Sequence, residues 1–142
     1  VLAKIRHRYL IIGSGALRLH GIDWEEGDLD IWLDPNLSDE DWQASVDDAA
    51  GSLKRPWKRG EPDGSGGLRA STRIACSPPL DVMREVMGCT AEDFEKAFDN
   101  SLISVYGNVA PLNSIMQIKR SAKRLKDYRH AIKLARKLLN AW

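Results

Sequence analysis

What this chain has little of narrows the possibilities first. Its two cysteines, Cys76 and Cys89, have neither metal-ligand spacing nor the look of a disulfide framework, so the sequence predicts reduced thiols in a cytoplasmic protein. No apolar run approaches the roughly 20 residues of a membrane-spanning helix, and no secretory pattern opens the chain, so no membrane is expected as a partner. Lys and Arg are missing from Asp23 to Asp48, a stretch dense in Asp and Glu, while from Lys119 to Lys137 the only acid is Asp127. The net charge of +1 therefore hides two opposed ends. These are either solvated faces or an acidic metal-binding end opposite a basic end that receives phosphates.

What remains is of ordinary globular composition. With 142 residues, 43% hydrophobic and 29% charged, the chain suits one domain with one core. The expected division is a sheet-containing core over 1–112 and C-terminal helices over 113–142, an α/β (α+β) fold with a mixed sheet.

The stretch from Tyr9 to Pro35 carries the chemistry. Tyr9-Leu10-Ile11-Ile12 is an apolar run bounded by Gly13-Ser14-Gly15, which reads as a buried strand. Ala16 to His20, closed by Gly21, reads as a short helix with a glycine stop. A second strand then places Asp28 and Asp30 two residues apart, so both carboxylates leave one face while Leu29, Ile31 and Leu33 point into a core. Two like charges about 7 Å apart repel and call for a cation. A hard divalent ion such as Mg²⁺ (or Mn²⁺) suits such oxygens, and two-metal phosphoryl chemistry uses ions about 3.5–4 Å apart. Gly13-Ser14-Gly15 at a helix start would favour a phosphate through its free N–H groups.

With those residues in place, the stretch resembles the nucleotidyltransferase superfamily, the fold of polymerase β-type enzymes, antibiotic nucleotidyltransferases and several bacterial toxin nucleotidyltransferases. The resemblance lies in Gly13-Ser14, then Ala16, Leu17, His20 and Gly21, then Asp28-Leu29-Asp30. Trp24 and Glu26 depart from small relatives, which often carry Arg and Thr there. A second match lies in Leu112, Ile115, Ile118-Lys119, Ala122, Arg124, Lys126-Asp127 and Leu134, where a helix runs into Lys-x4-Arg-x-Lys-Asp.

Other segments are read from their own pattern. Ser38-Asp39-Glu40-Asp41 predicts a capped helix start, with Trp42, Val46, Ala49 and Leu53 as its inward stripe. Lys54 to Gly67 reads as a loop in which Trp57 sits among basic residues, either half-buried or able to stack on a base. Arg69–Cys76 and Leu80–Met83 read as paired strands around Ser77-Pro78-Pro79. Asp81 is costly amid Leu80, Val82 and Met83 unless it is partnered, and the resemblance makes it the third catalytic carboxylate. Thr90 to Asp93 predicts a capping box with Phe94, Ala97 and Phe98 inward. Leu102 to Leu112 predicts a hairpin turning at Gly107-Asn108. From Asn113 a helix is expected, with a break between Lys123 and Asp127. Ile115, Ile118, Ala122 and Leu125 would face inward before the break, and Tyr128, Ile132, Ala135 and Leu139 after it. Lys119, Lys123, Lys126, His130, Lys133 and Lys137 recur at helical steps and would share a face if the helix were unbroken.

The resemblance thus implies Mg²⁺-dependent transfer of a nucleoside monophosphate from a nucleoside triphosphate to an acceptor, with pyrophosphate released. Asp28, Asp30 and Asp81 would hold metal, Gly13 and Ser14 the phosphates, and Lys119 or Arg124 would assist. The acceptor could be RNA such as transfer RNA, a protein hydroxyl or a small molecule. The alternatives are a nucleotide- or RNA-binding module without turnover, or an interaction protein such as a toxin–antitoxin partner.

Overall fold

The computed structural model describes residues 5–52, 71–74, 79–86, 88–121 and 125–140. The expected loop around Trp57, Leu53 of the inward stripe, the Ser77-Pro78 part of the turn, Ala122 and Arg124 lie outside these residues. Six strands form one mixed sheet: β1 (Tyr9–Ile12), β2 (Leu29–Leu33), β3 (Ser71–Ile74), β4 (Leu80–Met83), β5 (Leu102–Ser104) and β6 (Gly107–Val109). Their order across the sheet is β3-β4-β2-β1-β6-β5. The chain is α/β, with α1 (Gly13–Leu19), α2 (Asp39–Ser52), α3 (Ala91–Asp99), α4 (Leu112–Ser121) and α5 (Leu125–Asn140).

The two most apolar runs sit at the centre. β1 and β2 are buried along nearly their whole length, Leu10 to Ile12 and Ile31 to Leu33, as strands covered on both faces must be. They pair antiparallel, with Ile11 opposite Ile31 and Ile12 opposite Asp30. β4 alternates, with Leu80 and Val82 buried and Asp81 and Met83 half-buried, and it runs parallel to β2. Trp42, Val46 and Ala49 of α2 are buried as their spacing required, and Ser38 Oγ accepts from the Asp41 N–H at 3.1 Å. The α3 capping box is present: the Asp93 N–H donates to Thr90 Oγ1 at 3.2 Å, and the Thr90 N–H donates to Asp93 Oδ2 at 2.8 Å. Phe94 packs edge-on against Trp32 at 5.2 Å. Arg8 covers the Phe94 and Phe98 rings, donating to Asp34 Oδ2 at 2.8 Å and Glu95 Oε1 at 2.6 Å.

Three local expectations change. Asp28 lies just before β2 rather than inside it. The hairpin turns at Val105-Tyr106, not Gly107-Asn108, because Val109 pairs with Ile11 and Tyr9 Oη donates to the Tyr106 carbonyl at 2.7 Å, drawing Gly107 and Asn108 into a strand. Residues 122–124, where the expected break begins, lie outside the described ones; α5 is helical from Leu125 and packs against α4, and its inward face differs from the expected one. Leu134 is fully buried with Leu138 packed beside it, whereas Ile132 and Leu139 are exposed. A helix with leucines and isoleucine on two faces leaves that choice to tertiary docking.

Candidate functional site

The parallel pairing of β2 with β4 puts Asp30 opposite Asp81 in register, and β3 puts Arg73 at the register position beyond Asp81. The turn out of β1 brings a third element to the same place. Gly13 has φ +69, and a Cβ there would stand 2.5 Å from Asp30 Oδ2, so the backbone passes directly against that carboxylate. A Cβ on Gly27 would stand 3.5 Å from Ser14 Oγ, so the crossing segment returns beside Ser14. α1 starts at Gly13 itself, earlier than expected, and its first turn has no side-chain cap. Gly13, Ser14, Asp28, Asp30 and Asp81 are therefore neighbours.

Burial, together with neighbouring carboxylates, changes the protonation of Asp30. Its carboxyl is pushed up to about 7, first by burial, then by the Asp81 charge and hydrogen bond, then by Asp28, with Lys119 pulling the other way. Asp30 therefore keeps its proton up to near neutrality, hydrogen-bonded to Asp81. Among the described residues no group of three or more His, Cys, Asp or Glu is placed to hold a metal ion. The donor set is all carboxylate oxygen, which suits a hard divalent cation able to relieve the repulsion that raises Asp30.

Lys119 is a buried lysine of α4, close enough to Asp30 to lower its pKa and 5.4 Å from the centre of the Trp24 ring. Lys133 of α5 lies 4.3 Å from the same ring centre, and His130 meets the ring edge-on at 5.5 Å. His130 Nε2 also contacts Glu25 Oε1 at 3.2 Å. The basic recurrence seen in the sequence thus does not form one exposed stripe. Lys119 of α4 and His130 and Lys133 of α5 gather around Trp24, a residue the pattern marked only as a departure. Their three- and four-residue spacing was the available signal, and an acidic, aromatic segment to receive them was the missing half. Glu26, the other departure, makes a surface ion pair with Arg18 at 3.5 Å.

Compared with known proteins, the chain matches no family model and no curated protein. Among the described residues, no helix is long and apolar enough to cross a membrane.

Gly13 supplies the first test of this geometry. Gly13→Ala should cost about 1–2 kcal/mol for the left-handed backbone alone. Its methyl group must also turn the Asp30 carboxylate aside. Urea denaturation should therefore show lower stability, and the pH dependence caused by Asp30 should shrink with it.

Proposed function

We propose that this protein is a nucleotidyltransferase that moves a nucleoside monophosphate from a nucleoside triphosphate to an acceptor hydroxyl, with pyrophosphate as the leaving product. The observation that carries this reading is the in-register opposition of Asp30 and Asp81, where burial first and the Asp81 charge second push the Asp30 carboxyl up to about 7. Carboxylates packed this closely suit chemistry in which a cation arrives with its substrate. Asp30 and Asp81 would hold Mg²⁺ or Mn²⁺, with Asp28 completing the set. Such an ion, when bound, supplies neutralisation of the developing phosphoryl charge.

The protein's own groups do the rest. Asp81, on the strand beside β2, is the candidate acceptor of the proton from the incoming hydroxyl. Gly13 keeps the backbone against Asp30 without a side chain in the way, and Ser14 offers a hydroxyl beside it. Lys119 brings a buried positive charge toward the phosphates. No protein nucleophile is required, since positioning and charge neutralisation carry most of phosphoryl transfer.

The test is label transfer. The protein is incubated with each α-³²P nucleoside triphosphate, Mg²⁺ and total cellular RNA or protein. Transfer of label with pyrophosphate release, lost on Asp81→Asn, is the expected outcome. Salt-sensitive RNA binding with no transfer would favour the binding-module alternative.

A further inference from the structure

From Asn100 to Ile118 the chain carries no charged residue. This neutral stretch forms the β5–β6 hairpin, and among the described residues β5 is the outermost strand of its side of the sheet. Natural edge strands are usually guarded by lysines, prolines or inward charges, and this one has none. Instead it presents Ile103 at 83% exposure, Val105 at 91% and Tyr106 at 60%. Scattered exposed apolar side chains are common, but three within four residues on an open strand and its turn form a patch.

The hairpin is also held in shape. Ser104 Oγ donates to the Gly107 carbonyl at 2.7 Å, Asn108 Nδ2 donates to Ser101 Oγ at 2.8 Å, and Tyr9 Oη donates to the Tyr106 carbonyl at 2.7 Å. Its apolar side chains therefore face outward from a fixed backbone, and the entropic cost of ordering them on contact is small.

The geometry points to a second copy of this chain as the occupant, joined by antiparallel pairing of β5 with the β5 of its mate. Ser104 and Gly107 flank a two-residue turn, so they form the hydrogen-bonded pair of the hairpin, and Ile103 opposite Asn108 does not. The Ile103 N–H and carbonyl therefore point to the open edge. A two-fold axis beside Ile103 lets the two Ile103 residues exchange both hydrogen bonds, with Leu102 of one copy opposite Ser104 of the other. Electrostatics favours a like partner. The edge has no charge with which to select an oppositely charged protein, and a net charge of +1 barely repels a second copy. The sheet would continue across the axis, with both β5 edges covered.

Sedimentation equilibrium of the whole chain decides this. The wild type should approach twice its 15.9 kDa mass at about 100 μM. Ile103→Pro removes only the outward N–H, which the hairpin does not use, and should leave a folded monomer. Ile103→Lys keeps that N–H but sets two like charges across the axis, and should also be a monomer. A wild type that stays at 15.9 kDa overturns the proposal, as does a folded variant of either kind that remains a dimer.

Discussion

At pH 8 an Asp30→Asn protein melts above the wild type. The folded protein holds the Asp30 proton up to about 7, while the ordinary carboxyl value is 3.8, so the folded state binds more protons between those values. The stability contributed by that proton is complete below about pH 4, declines as the pH rises toward 7, and is gone above it. Each unit of displacement is about 1.4 kcal/mol, but the group is only half-buried and solvent screens it. The wild type should therefore lose on the order of 2–3 kcal/mol across the window. Asparagine has the shape of the protonated acid and can donate to Asp81, so the mutant should keep that stability and melt several degrees higher at pH 8. Its melting temperature should also be nearly flat from pH 4 to 8. Melts of both proteins across that range check it. A mutant that melts well below the wild type at pH 8 would mean that the carboxylate is held by donors rather than crowded by acids.

Trp24→Leu carries the largest expected loss of stability. The indole is 5% exposed and sits between the segment leading to Asp28 and the two C-terminal helices, with the Lys133 ammonium 4.3 Å and the Lys119 ammonium 5.4 Å from its ring centre. Truncating a buried aromatic costs about 3 kcal/mol or more, and each lost cation–π contact adds about 0.5–1 kcal/mol. One feature offsets part of this. The buried Trp24 Nε1–H has no hydrogen-bond partner among the described residues, so deleting it removes an unmet donor. Urea denaturation of Trp24→Leu should show a net loss of about 2–4 kcal/mol. Trp24→Phe keeps an aromatic face and drops the unmet donor, so it should stay within about 1 kcal/mol of the wild type. Equal losses in the two variants would assign the role of Trp24 to volume alone.

The sequence was most legible where burial on both faces wrote a continuous apolar run. β1 falls on Tyr9–Ile12 as its pattern requires, and β2 on Leu29–Leu33. The α3 capping box was equally clear, because Thr90 and Asp93 act over three residues. Asp81 was legible only as a cost, a carboxylate amid Leu80, Val82 and Met83. That it faces Asp30 follows from a register between strands some fifty residues apart, which no local pattern records. The face of α5 was misread for the same reason. Ile132 and Leu139 satisfied the helical period as well as Leu134 and Leu138 do, and docking selected the latter pair. The hairpin shifted because parallel pairing with β1 outweighed the turn preference of Gly107-Asn108. The basic residues near the C-terminus suggested an exposed stripe, yet Lys119 of α4 and Lys133 of α5 approach one ring from two helices.

Thermal melting with Mg²⁺ and a non-hydrolysable nucleoside triphosphate bears most directly on the carboxylate site. Asp30 must lose its proton to act as a ligand, so the wild type should gain more from the pair of ligands at pH 8 than at pH 6. At a hundredfold excess over the dissociation constant the gain should be about 2.7 kcal/mol. Neither ligand alone should match it, and Asp30→Asn should show no gain at either pH. A wild type indifferent to Mg²⁺ and nucleotide at saturating concentration, or an Asp30→Asn protein stabilised as fully as the wild type, would contradict the assignment of Asp28, Asp30 and Asp81 to metal-assisted nucleotidyl transfer.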